Sequence, residues 1–194
     1  MNDKEIQNFW NWFNDNCENI NPSAPNEELL NKLDKTIVDW NLDWEIGPGK
    51  TKENSLTISP RADIQKFIIT ENIISKSINN EKWEFYSAKQ SKQNWYLLKL
   101  IDGNTQLDSS NWKYVLLKYE DKKVEVLVKA DNLEAFDNRA KDQIVEIVLI
   151  NLLGEKIFME KIDFFDVVEG FESEKGVTEL RYLPDHLMDE TYFA

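Results

Sequence analysis

The apolar residues of this chain switch between helical spacing and strict alternation, and that switching admits only a mixed fold. Ile6, Phe9, Trp10, Phe13 and Cys17 fall on one stripe, which predicts an amphipathic helix over 3–18. A polar, proline-containing break follows at 19–25. Asn26 then reads as an N-cap, with Glu27 and Glu28 at the positive end of a helix dipole. Leu29, Leu30, Leu33, Ile37 and Trp40 carry this second helix, so residues 1–40 are expected to form an antiparallel helix pair.

At Leu42 the period becomes two. Leu42, Trp44 and Ile46 alternate with acids as a strand, and Gly47-Pro48-Gly49 starts a turn. Ser55–Ser59 is a second strand, stopped by Pro60. A helix over 62–79 and a strand from Trp83 to Ser87 complete a first half over 42–88. Trp95–Ile101 reads as a further strand, Asp102-Gly103-Asn104 as a turn and 108–111 as a loop. A second half over 112–168 repeats the order: strand 112–119, a tight Glu120-Asp121-Lys122 connection, strand 123–128, helix 137–153 ended by Gly154, and strand 162–168. The tail, 177–194, carries a short helical segment at 180–188. The two halves share this pattern without residue-level identity. The expected fold is therefore α+β. It is one domain over 1–194 with a mixed, mainly antiparallel sheet from two strand–strand–helix–strand halves, preceded by the helix pair.

Ile144, Val145, Ile147, Val148, Leu149, Ile150, Leu152 and Leu153 cover nearly the whole circumference of the 137–153 helix, which predicts burial on all sides. The N-terminal pair, which needs a surface for its own stripe, is the expected cover. The alternative is an interface in a homo-oligomer.

Charge narrows the partners. Of 194 residues, 36 are Asp or Glu and 23 are Lys or Arg, a formal net charge of −13. Such a field repels nucleic-acid phosphates and anionic membrane surfaces, and it steers in basic proteins and cations. The same charge also serves plain solubility. One cysteine excludes an internal disulfide. With no basic-then-apolar leader at the N-terminus and no apolar run of membrane-spanning length, a cytoplasmic location is expected. The richness in Asn, Ile and Lys suits an AT-rich bacterial genome.

The parts of familiar active centres are scarce. His186 is the single histidine, so a serine triad would have to use it, and no Gly-x-Ser-x-Gly elbow is present. One His and one Cys cannot build a His- or Cys-rich metal site. The six glycines form neither a dinucleotide fingerprint nor a P-loop, so no cofactor is expected. Carboxylates remain. Asp163, Asp166 and Glu169, followed by Glu172 and Glu174, form either a hard-cation site or a solvated acidic surface. Glu71 falls inside the Ile64–Phe67–Ile68–Ile74–Ile78 stripe of its helix. There it is either a buried acid able to act in general acid catalysis or a boundary glutamate whose head reaches solvent. Cys17, in line with the first stripe, reads as a small core residue. Trp12 lies off that stripe and is either a partner-binding anchor or a ring covered by a second layer. The Lys89–Trp95 stretch, basic within an acidic chain, is a further contact candidate.

Phe9-Trp10-Asn11-Trp12-Phe13, Trp44-Glu45-Ile46-Gly47-Pro48, Leu56-Thr57-Ile58-Ser59 and Trp83-Glu84-Phe85 occur in this order. Leu152-Leu153-Gly154-Glu155 and Leu180-x-x-Leu183-Pro184-Asp185-His186-Leu187 follow them. Together they resemble a family of uncharacterised bacterial proteins over most of the chain. The resemblance implies no catalytic residue. In size, charge and class the chain also resembles immunity proteins that neutralise bacterial toxins. The reading that results is a non-enzymatic interaction protein that binds a basic protein partner. The alternatives are a carboxylate-based enzyme or a small-ligand or cation binder, and a structural homo-oligomer subunit.

Overall fold

The computed structural model describes residues 1–20, 26–99, 106–118 and 123–189. The fold is α+β, with six α-helices and nine strands among the described residues. The chain forms two compact units, Met1–Lys89 and Gln90–Ala194, and the boundary falls inside the basic Lys89–Trp95 stretch.

The first unit begins with α1 (Asp3–Asn16) and α2 (Glu27–Asp39). Asn2 caps α1 in a reciprocal box with Glu5, and Asn26 accepts from the Glu28 and Leu29 amides to start α2. Then come β1 (Asp43–Pro48), β2 (Asn54–Ser59), α3 (Ile64–Ser75) and β3 (Trp83–Tyr86). β1 and β2 form an antiparallel hairpin, and α3 carries the chain over to β3, which pairs parallel to β2. The α1 stripe, Ile6, Phe9, Trp10, Phe13 and Cys17, is buried in one cluster with Leu33, Ile37, Leu56, Ile58, Ile73 and Trp83. Edge-on ring contacts fill its centre: Trp10 to Phe85 at 4.7 Å and Phe13 to Trp83 at 5.1 Å. The Trp10 indole N–H donates to the Ile73 carbonyl at 2.8 Å, so burial leaves no orphan donor there.

The second unit has a two-stranded sheet of β4 (Leu97–Lys99) and β5 (Gln106–Asp108) and a four-stranded sheet in the order β8-β7-β6-β9. Its parts are β6 (Lys113–Lys118), β7 (Val124–Lys129), α4 (Asn138–Leu153), α5 (Glu155–Lys161), β8 (Ile162–Val167) and β9 (Thr178–Glu179), closed by α6 (Leu183–Met188). β6 and β7 form the antiparallel hairpin, and α4 with α5 carries the chain to β8, parallel to β7. Val124, Val126 and Val128 bury one face of β7 as their alternation predicts.

Several expectations change. The strands of the described residues fall in three sheets: each half pairs its hairpin with its own returning strand, and β4 pairs with β5 in the third. Within the second unit α4 packs on α5, α6 and β8. Nor is α4 buried all round: Ile147 is 45% exposed, and burial is confined to the broad face of Ile144, Val145, Val148, Leu149, Leu152 and Leu153. A helix that lies on one sheet has only that face to cover. The 102–104 turn, the 120–122 connection, residues 21–25 of the first break and the last residues of the tail, 190–194, lie outside the described residues.

Candidate functional site

The carboxyl ends of β7 and β8 lie side by side, and the N-terminus of α4 reaches the same edge. Between them opens a concavity of about 680 Å3. Its presence follows from the connection. Residues 130–137 join β7 to α4, Leu133 is the buried anchor of that loop, and Asp137 caps the helix by accepting from the Ala140 amide at 2.8 Å. Asp131, Glu134, Asp142, Asp166 and Glu169 line the concavity, against Lys129 and Lys141. Lys129 pairs with Asp131 at 3.6 Å, and Asp166 accepts from the neighbouring Val167 amide at 2.9 Å. The side chains of Asp142, Glu169 and Lys141 have no hydrogen-bond or ion-pair partner among the described residues. The arrangement is a concave surface of net negative charge at the edge where parallel strands place ligands.

The expected site residues divide. Asp166 and Glu169 line the concavity, whereas Asp163 projects from β8 and pairs with Lys123 at 3.0 Å. Strand alternation separates Asp163 from Asp166, which are three residues apart. Among the described residues no three His, Cys, Asp or Glu side chains come together closely enough to hold a metal ion. Glu71 is exposed. α3 buries Phe67, Thr70 and Ile73, while Ile64 and Ile68 face outward at 45% and 63% exposure, so the stripe that contained Glu71 is not the buried face. Cys17 is buried, with its thiol donating to the Asn14 carbonyl and accepting from the Asn80 amide. His186 hydrogen-bonds the buried Tyr114 hydroxyl through Nδ1, joining α6 to β6. Trp12 is half-buried at the edge of the first unit's core, with the Lys32 ammonium 5.0 Å from its ring centre.

Two features escape sequence reasoning. Glu155, the first residue of α5, is the only buried carboxylate among the described residues, and no apolar periodicity predicts its burial. Glu84 lies on β3, where its carboxylate accepts from the Lys50 and Thr51 amides and from the Thr51 hydroxyl, closing the β1–β2 turn. Partial desolvation works to raise its pKa. The bonds from Thr51, then Tyr86 and Lys50, outweigh that and bring it down to about 2. Tyr86 is pushed the other way, by desolvation and then by its bond to the Glu84 carboxylate and that group's charge.

No protein-family model, curated protein or solved structure matches the chain.

Proposed function

We propose that this is a non-enzymatic interaction protein that binds a basic protein partner through the acid-rimmed concavity of the second unit. The observation that supports it is the rim itself: five carboxylates against two lysines, with Asp142 and Glu169 unpaired among the described residues. Set in a chain of net charge −13, this edge favours capture of a lysine- or arginine-rich surface. In the immunity-like form of the reading, the basic partner is a toxin.

The test is anisotropy of a labelled lysine-rich peptide against the full chain and the triple variant Glu134→Lys/Asp142→Lys/Glu169→Lys. The expected outcome is binding that weakens as salt rises and falls by roughly tenfold or more in the variant. Equal binding by the variant, or no binding at low salt, refutes the reading.

The position of the concavity favours a second reading, a small cationic ligand. Crevices at the carboxyl ends of parallel strands are common ligand sites, and this volume suits one. Spermidine, titrated calorimetrically against the chain and against Asp166→Asn/Glu169→Gln, distinguishes it. Saturable one-to-one heat lost in the variant supports this reading, and its absence removes it.

A further inference from the structure

The valley between α1 and α2 is a second concavity with different chemistry. Residues 5, 8, 9 and 12 share one face of α1, and residues 32, 36, 39 and 40 share one face of α2. The two faces border a groove of about 590 Å3, within the range of small-molecule sites. Phe9 is its buried floor, with the Trp12 ring centre 6.2 Å away and the Trp40 ring centre 5.2 Å away. Trp12 and Trp40 themselves stay half-buried.

Its polar groups are open to a ligand. Trp10, Trp44 and Trp112 donate their indole N–H to a protein oxygen, whereas the other four tryptophans have no such acceptor among the described residues. Among the described residues, neither the Trp12 nor the Trp40 indole has such an acceptor, and neither the Asn8 amide nor the Asp39 carboxylate has a partner. Glu5 is engaged in capping the Asn2 amide at 2.7 Å. The Met1 ammonium pairs with Glu5 at 3.8 Å and Lys32 offsets the charge of Asp39, so a ligand cation finds no net negative charge there; Lys32 also covers Trp12, which leaves Trp40 as the ring for stacking. This neutrality separates the groove from the acid-rimmed concavity of the second unit.

A neutral ligand with an apolar face and hydrogen-bonding edges fits these groups. A pyranose ring has both: its C–H face lies against an indole, whose π face is electron-rich, and its hydroxyls pair with amide, carboxylate and N–H groups. Residues 32 to 40 span about 12 Å of α2, room for two such rings end to end. We infer that the α1–α2 groove binds a neutral carbohydrate, stacked on Trp40 and held at its edges by Asn8 and Asp39. This site is independent of the basic-partner reading.

The test is tryptophan fluorescence and calorimetry of the full chain with maltose, cellobiose and N,N′-diacetylchitobiose, each up to about 20 mM. At least one sugar should shift the emission and bind with an affinity unchanged by salt. Trp40→Ala should weaken that binding about tenfold, and Asn8→Ala or Asp39→Ala severalfold. The Glu134→Lys/Asp142→Lys/Glu169→Lys variant should bind the sugar normally. Trp12 and Trp40 pack against the core, so the exposed Asn8 and Asp39 variants provide a test that does not depend on refolding. The inference fails if none of the three sugars binds, or if binding survives unchanged in Asn8→Ala, Asp39→Ala and Trp40→Ala. It also fails if a lysine-rich peptide, rather than a sugar, loses affinity in Trp40→Ala.

Discussion

The two units build the same strand–strand–helix–strand core and finish its carboxyl edge in opposite ways. In both, an antiparallel hairpin is followed by a helical crossover and a parallel strand beside the hairpin's second member. In the first unit only residues 60–63 join β2 to α3, and the edge is sealed. Ser59 and Thr70 are fully buried, Phe67 nearly so, and the Thr70 hydroxyl donates to the Ser87 carbonyl just past β3 at 2.7 Å. In the second unit the longer 130–137 connection holds the helix start away from the strands, and the same edge is concave and charged. Connection length therefore decides whether this edge stabilises the fold or stays open to a ligand.

That comparison can be broken most forcefully at the sealed edge. Phe67→Ala should lower unfolding free energy in urea by about 3–5 kcal/mol, because it leaves a void where the first unit closes. Thr70→Val keeps the volume and removes the donor to Ser87, and should cost about 1–3 kcal/mol in the same experiment. At the rim of the open edge, Glu134→Gln/Asp142→Asn should move stability by only about 0.5 kcal/mol, since both side chains are exposed. If the rim variant proved as costly as Thr70→Val, the second edge would be structural and the contrast would collapse.

The opposite end of the first sheet gives a pH-dependent test with the smallest expected effect. The folded state holds the Glu84 pKa at about 2, below its ordinary 4.5. A depressed acid contributes stability that is present above its unfolded pKa and is lost as pH falls through the folded one. The thermal midpoint of the wild-type chain should therefore decline between about pH 4.5 and 2, and Glu84→Gln should make that decline shallower. Identical slopes would show that the Lys50–Thr51 turn does not depend on the carboxylate.

Much of the fold is legible in the sequence because its signals are local. Asn26 and Asp137 cap the helices they precede, Pro60 follows the last residue of β2, and Gly154 ends α4. The orientation of α3 is not legible. With isoleucines at 64, 68, 69, 73 and 74 its apolar residues surround the axis, and the buried face passes through Thr70, whose polarity hides it until its Ser87 partner is known. α5 and β9 are too short to show a period, at seven and two residues. The concavity was half visible. Asp166 and Glu169 stand out as an acidic cluster, but Asp131, Glu134 and Asp142 join them only through the parallel pairing of β7 with β8. The Trp12 groove was visible only as a ring left over from a stripe.

Gly154 has a wider consequence. It ends α4 and immediately precedes α5, with φ +82° and ψ +147°, a backbone state almost confined to glycine. With a side chain at this position, the easiest local alternative is to run the two segments together as one rod over 138–161, about 36 Å long. The chain would then emerge well beyond the point where Ile162 meets Val124, and the parallel strand that forms one wall of the charged crevice would have nowhere to begin. A single achiral residue thus determines whether that wall exists.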